Sequence, residues 1–349
     1  MLPTGIHFES YAAETRTLKT RRSRIWLLAL VVGLLATPLF AGAYLVGVMS
    51  EMLITLMAVY GLYITVGMAG QINIAQSAFV GVGAFAAAKL SGYGVPVLLV
   101  IPVAALCAGL ISILFAMPAA RVKGLYLALT TLAAQAMFPI VIYALPADWI
   151  GGLAGMPVEP LTLFGFDLGG PTRLYYFTLA IAALLTVTVF RLQHSRFGRA
   201  MIAVRDNDVA AEVMGIPVLR VKVMAFFVGS LFAGVAGVCL AYFLQFVTAA
   251  SFTLFASVWY LGMLIVGGLH SPLGAILGVV FITIVQECLH KVANTLLQAG
   301  VAGGGALFAI TSIILGGCIL LALIFEPRGL AHRWTVLRNA FRIWPFPRN

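Results

Sequence analysis

Charge is what this chain has least of. Asp, Glu, Lys and Arg make up 9% of its 349 residues, and only 11 residues are acidic. Soluble globular domains carry about 25% charged residues, so the composition excludes an ordinary water-soluble fold. Cys107, Cys239, Cys288 and Cys318 lie in or beside apolar runs, with no CxxC pair and no Cys/His ligand spacing. They read as small packing residues, and neither a disulfide framework nor a metal site follows from them. The chain has no GxxxxGKS/T stretch, so it carries no recognisable nucleotide-hydrolysing P-loop. HExxH, the GxSxG elbow and clusters of paired carboxylates within a span are missing as well, which leaves an intramembrane enzyme without its constellation. The alternating segments of a membrane barrel are also absent.

What the chain does have is apolar sequence, 62% of it hydrophobic. A bilayer core about 30 Å thick needs about 20 apolar residues per helix, and such runs follow one another here. The reading is an all-α, polytopic helical membrane protein of about ten transmembrane helices. The spans fall near 25–49, 51–69, 76–92, 95–119, 124–145, 173–192, 222–246, 256–269, 272–290 and 305–325. The transmembrane domain therefore covers 25–325, between a basic tail at 1–24 and a second basic tail at 326–349. Ile25 to Met49 is longer than a signal-peptide core and follows a long basic tail, so it reads as a retained span.

The net charge of +10 could suggest nucleic acid, but its distribution describes topology instead. With ten spans, 18 of the 21 Lys and Arg fall on the side of the tails, leaving Lys89, Arg173 and Lys291 opposite. The positive-inside rule then puts both termini and the 191–222 loop in the cytoplasm. The largest outer loop, Pro146 to Pro171, holds six glycines, which argue against a long helix. It reads as a connection, an external gate or a landing surface for a soluble partner.

Three stretches could carry function. The longest polar interruption runs from Arg191 to Lys222. Within it Asp206, Asn207 and Asp208 offer N-cap acceptors, Val209 to Met214 reads as a short helix, and Gly215 with Pro217 stops it. Val209, Val213 and Ile216 recur at i, i+4 and i+7, an apolar stripe on a segment too short to be stable alone. The stripe fits a groove in a partner, or a loop folded back on its own membrane domain.

The second stretch, Gly67 to Ala88, sets Gly67, Gly70, Gly81 and Gly83 among Gln71, Asn73, Gln76 and Ser77 near membrane depth. Small residues admit close helix contacts, and amides in a low-dielectric medium need partners. Irregular backbone there is tolerated only inside protein or beside a water-filled cavity. Helix packing and a pathway lining are both compatible with it. The third stretch, Gly267 to Gly278, includes Gly268, Gly274, Pro272 and His270, the last more simply hydrogen-bonded than a proton carrier. Glu51, Lys89, Glu287 and His290 fall near the expected span ends. That scarcity of intramembrane charge weighs against ion coupling, although backbone carbonyls can bind sodium.

Four segments together resemble the LivM-like permease subunits of bacterial branched-chain amino acid ABC transporters. GQINIAQSAFVGVGAF (70–85) is similar to that family's GQxSxGHxAFxGxGAY segment. FGRAMIAVRDNDVAAEVMGI (197–216) is similar to its FGRAxxAxRxNxxAAExMGI segment, the longest and most specific of the four. GGLHSPLGAILG (267–278) and EPRGL (326–330) complete the likeness, which spans about residues 70 to 330. Departures occur at Ala75-Gln76 for Gly-His, at His270 for Gly, and in the apolar IGGLAG (150–155). They bear on the solute more than on transport, since relatives carry urea or short amides.

The resemblance implies a multi-pass permease of the bacterial inner membrane with no catalytic residues, metal or cofactor of its own. ATP and magnesium would bind two cytoplasmic ATPase subunits. A second permease subunit, in a heterodimer, and a periplasmic substrate-binding protein would complete the importer. The 191–222 loop would hold the coupling helix, with Ala210, Ala211, Glu212 and Gly215 as its matching positions. The expected solutes are Leu, Ile, Val or related amino acids. An ion-coupled secondary transporter is the rival reading.

Overall fold

The computed structural model describes residues 21–119, 125–163, 166–167, 169–298, 313–317, 319–321, 324 and 329–343. Arg121, Lys123 and the Glu326 to Arg328 part of the EPRGL segment lie outside the described residues. Nearly all described secondary structure is helical: α1 (Arg21–Phe40), α2 (Ala43–Leu62, continued by a π turn at Tyr63–Met68), α3 (Gln76–Gly92), α4 (Val97–Ala119) and α5 (Leu125–Ala144) come first. After a one-turn α6 (Ala147–Ile150) follow α7 (Pro171–His194), α8 (Arg196–Asp206), α9 (Asp208–Val213), α10 (Val218–Leu244), α11 (Leu254–Gly267), α12 (Pro272–Gln298) and α13 (Leu330–Ile343). Helical backbone recurs at 313–317 and 319–321. Seven of the described helical segments are long and apolar enough to cross a bilayer. The protein is a polytopic helical membrane protein.

Two expectations change at the start of the bundle. The first helix break falls at Ala41–Gly42, not near residue 50, because Gly42 adopts extended backbone just past Pro38. Residues 43–68 then form one continuous apolar segment, with Met49 and Glu51 inside it. The 146–171 loop is also more ordered than a bare connection. Its β1 (Met156–Pro157) pairs antiparallel with β4 (Phe246–Val247) at the end of α10, and β2 (Thr162–Leu163) pairs with β3 (Phe166–Asp167). The β1–β4 pair ties the loop to the C-terminal end of the central helix.

The centre of the molecule is α10, packed against α4, α3 and α2, with α7 on the far side of α2. Small residues make this possible. A side chain at Gly83 of α3 would run into the backbone of Gly234 in α10, and one at Gly237 into the Val80 carbonyl. Buried apolar groups of α2, α3 and α10 form one continuous core. Without a hydrophobic driving force in lipid, such close backbone approach is what holds helices together.

Candidate functional site

The site begins where α2 fails. Thr65 Oγ1 donates to the carbonyls of Gly61 and Leu62 at 3.3 and 3.2 Å, a back-bond that loosens the helix. The ladder widens to i→i−5, with Ala69 N donating to Ile64 O at 3.3 Å. Gly70 then takes φ +68°, a left-handed conformation that suits glycine. From Gln71 to Ala75 the backbone is non-helical, and α3 restarts at Gln76. With only 17 residues, α3 rises about 26 Å, less than the roughly 30 Å of a bilayer core.

Irregular backbone inside a membrane protein must find its partners internally, and here it does so from three helices. Asn73 Oδ1 accepts from Ala75 N at 2.9 Å, and Asn73 Nδ2 donates to Gln76 Oε1 at 3.1 Å. Gln76 Nε2 donates to the Ala58 carbonyl at 2.7 Å. From α5, Thr131 Oγ1 accepts from Ile74 N at 3.1 Å, and Gln135 Oε1 accepts from Ala78 N and from Ser257 Oγ, each at 2.9 Å. Ser257 Oγ in turn accepts from Ser77 N at 2.8 Å, and Gln135 Nε2 donates to Phe252 O at 2.9 Å. Thr131, Gln135 and Ser257 were not singled out in the sequence. Their only signal was a polar side chain inside an apolar run.

Ser77 Oγ has no partner, and Gln71 goes further. It is 1% exposed, and neither polar atom of its side chain has a hydrogen-bond partner. It borders a cavity of about 340 Å³ together with Gly70, Arg205, Asp206, Asp208 and Lys222. An unpaired buried amide costs about 1–3 kcal/mol, so this group is suited to water or to a passing polar solute.

The other glycine positions fall into two groups. Gly81 faces the Phe138 and Phe252 rings, and Gly83 faces α10. Gly67 abuts the Leu269 carbonyl, which brings the first glycine cluster against the second. In that second cluster the α11–α12 turn is closed by Gly267 against Gly274, and Gly268 lies against Gly329. His270 is exposed at the turn.

The polar segment reaches the same break from the other side. Ser195 caps α8 by accepting from Gly198 N at 3.0 Å. Asn207, of the three candidate caps, is the one that caps α9, its Oδ1 accepting from Ala210 N at 3.0 Å. The helix closes with Gly215 N donating to Glu212 O and Ile216 N to Ala211 O, with Gly215 at φ +81°. This paired closure brings the residue after the glycine back toward the helix. Ile216 therefore packs against the core beside buried Ala211, instead of continuing the stripe with Val209 and Val213. Val209, Val213 and Met214 are 61%, 82% and 81% exposed, and Ala210, Glu212 and Gly215 are exposed with them. The apolar stripe is not folded back on the bundle.

Arg205, at the end of α8, joins the two halves. Its Nη1 donates to the Gly67 carbonyl at 2.8 Å, and its Nε and Nη2 donate to Asp206 Oδ1 at 3.0 and 2.8 Å. A side chain at Gly70 would meet the Arg205 Cγ at 2.7 Å. The last carbonyls of a helix have no partner within it and carry partial negative charge, so a guanidinium at the end of α2 answers both needs. Lys222, at the start of α10, pairs with Asp208 at 3.6 Å. The sequence offered Arg205 as a positive charge and a matching position of the 197–216 segment, with no sign of what it would grip.

Ionisable groups are not confined to span ends. Tyr44 OH donates to Glu287 Oε2 at 2.7 Å, joining α2 to α12. Glu51 stands two turns from Tyr44 within α2, and His290 one turn from Glu287 within α12. Tyr44, Glu51 and His290 are exposed on the isolated chain.

The comparisons with known proteins agree with this architecture. The sequence profile of the family described as "Branched-chain amino acid transport system / permease component" matches residues 43–323. The chain is 26% identical over 336 residues to the high-affinity branched-chain amino acid transport system permease protein LivM of Salmonella typhimurium, covering 89% of this chain and 75% of that protein. The Escherichia coli permease of the same name matches with the same identity and coverage. No solved structure matches. The chain belongs to the branched-chain amino acid transport system permease component family.

Proposed function

We propose that this chain is the permease subunit of an ATP-binding cassette importer, translocating branched-chain or related amino acids across the inner membrane. In this reading separate ATPase subunits bind ATP and magnesium, and this chain hydrolyses nothing itself. The observation that carries the proposal is the grip of Arg205 on the Gly67 carbonyl, directly behind a capped helix with exposed apolar side chains. A force applied to α9 would reach the break in α2 through one short, charge-assisted bond. Val209, Val213 and Met214, with Ala210, Glu212 and Gly215 around them, form the surface offered to an ATPase groove.

The remaining assignments follow from it. The 191–222 segment and both tails lie in the cytoplasm, ten spans make up the domain 25–325, and a periplasmic binding protein delivers solute outside. The segment from Gly67 to Gly83, with Gln71 unpaired, and the Gly267–Gly274 turn form the moving part of the pathway. A second, different permease covers the α2–α12 face, because Glu51 and His290 within the spans are too polar to stand against lipid chains.

The test is reconstitution of the chain in vesicles with the second permease, the two ATPases and the binding protein. The solute is radiolabelled leucine, with urea and acetamide as competitors. ATP-dependent uptake should fall more than about tenfold with Val213→Asp, as for a buried interface anchor, while membrane insertion is unchanged. Accumulation of leucine by this chain alone on an ion gradient would overturn the reading. Competition by urea, but not by isoleucine or valine, would move it to the amide-carrying relatives.

A further inference from the structure

We propose that α13 lies in the headgroup plane of the bilayer and holds anionic lipid. The family profile ends at residue 323 and the family-like EPRGL segment at Leu330, so all of this helix after its first residue follows them. Its sequence, LAHRWTVLRNAFRI, contains Arg333, Arg338 and Arg342 and no acidic residue. Leu330, Trp334 and Leu337 recur at i, i+4 and i+7, one apolar stripe of a helix. Leu330 at the near end packs against the membrane core, whereas Trp334 and Leu337 are 56% and 53% exposed. The stripe begins on the protein and continues off it.

The level of the helix is fixed by what it touches. It contacts α11 and α12, and Gly329, just before it, lies against the Gly268 backbone in the turn joining those two helices. Its start is thus held at the end of two spans, where headgroups begin. A helix there, with Trp and Leu on one face and arginines beside them, has the composition of in-plane membrane helices. Tryptophan favours this interface. Each arginine near an anionic surface favours binding by about fivefold. The chemistry therefore selects an anionic lipid surface over a zwitterionic one.

The assembled transporter, with Cys107, Cys239, Cys288 and Cys318 replaced by alanine, provides the test. A single cysteine is introduced as Leu337→Cys on the stripe or as Thr335→Cys on the opposite flank. Nanodiscs are prepared from phosphatidylcholine alone or with phosphatidylglycerol, and a water-soluble maleimide is the probe. Thr335→Cys should label equally in both. Leu337→Cys should label at least about fivefold more slowly with phosphatidylglycerol, and adding Arg333→Gln with Arg338→Gln should erase that difference. Equal labelling of Leu337→Cys in the two lipids would overturn the proposal. Protection that follows the ATPase subunits instead of the lipid would also overturn it and make the surface a protein contact. Where the cysteine-free chain fails to insert, quenching of Trp334 by brominated phosphatidylglycerol, read as the difference from Trp334→Phe, gives the same answer. Transport is not measured, so this result and the proposed function stand or fall separately.

Discussion

Some side chains inside the bundle hold the break together, and others, Gln71 among them, have no hydrogen-bond partner. Gln135 belongs to the first kind, serving Ala78 N, Ser257 Oγ and Phe252 O at once. Gln135→Leu leaves a buried N–H and a buried carbonyl without partners, so it should cost at least about 2 kcal/mol, read as a lower unfolding midpoint in detergent. Gln71 predicts the opposite sign. Gln71→Leu removes an amide that is buried and unpaired in the resting bundle, so the variant should be more stable by about 1 kcal/mol, yet its leucine uptake should fall. Loss of stability would mean that the amide is satisfied in the resting state. These polar residues of the second stretch were visible in the sequence as amides in need of partners. The partners themselves were not, because Thr131 and Ser257 lie 57 and 180 residues from the groups they meet and belong to no periodic pattern.

At the scale of elements, α9 is the clearest case of local sequence determining local structure. Six residues cannot form a stable helix alone, so its existence depends on its two ends. The Asn207 cap and the Gly215 closure were both legible from residue type, whereas the choice of Asn207 over Asp206 and Asp208 was decided by backbone geometry. The direction of the stripe was legible for Val209 and Val213 but not for Ile216, which a left-handed Gly215 turns back onto Ala211. Asn207→Ala should cost about 1 kcal/mol, and hydrogen exchange at the amides of 208–213 should rise about fivefold, with the rest of the bundle unaffected. Gly215→Val, forced into a left-handed conformation, should do the same at a cost of about 1–2 kcal/mol. If neither substitution changes exchange there, tertiary packing rather than capping holds the helix. The α1–α2 break shows the reverse situation. Hydropathy continues unbroken through Gly42, so Pro38 and Gly42 were the only marks of it in the sequence, and backbone conformation located it.

For the whole molecule, the question is how a surface event reaches the core, and the geometry narrows it to one joint. Helices α8 and α9 are anchored to the bundle by Met201, Val204, Ala211 and Ile216, by Lys222 with Asp208, and by Arg205 on the Gly67 carbonyl. The last of these is the one polar bond among them to the α2 end, where the helical ladder gives way to irregular backbone. Arg205→Met keeps the aliphatic stem that lies over Gly70 and removes the charge. It should weaken the joint by roughly 2 kcal/mol, the worth of a charge-assisted hydrogen bond, without altering the exposed Val209, Val213 and Met214. The expected phenotype is therefore a split one. The ATPase subunits still co-purify with the permease and still hydrolyse ATP, while leucine uptake per ATP falls at least about tenfold. Arg205→Lys should recover part of the coupling, because one ammonium can reach the Gly67 carbonyl or Asp206 but cannot fork to both as a guanidinium does. Val213→Asp should give the complementary result, losing the ATPase subunits along with uptake. If Arg205→Met lost the ATPases too, the side chain would matter for folding of the polar segment. If uptake were untouched, the force would travel instead through the ion pair at the foot of α10.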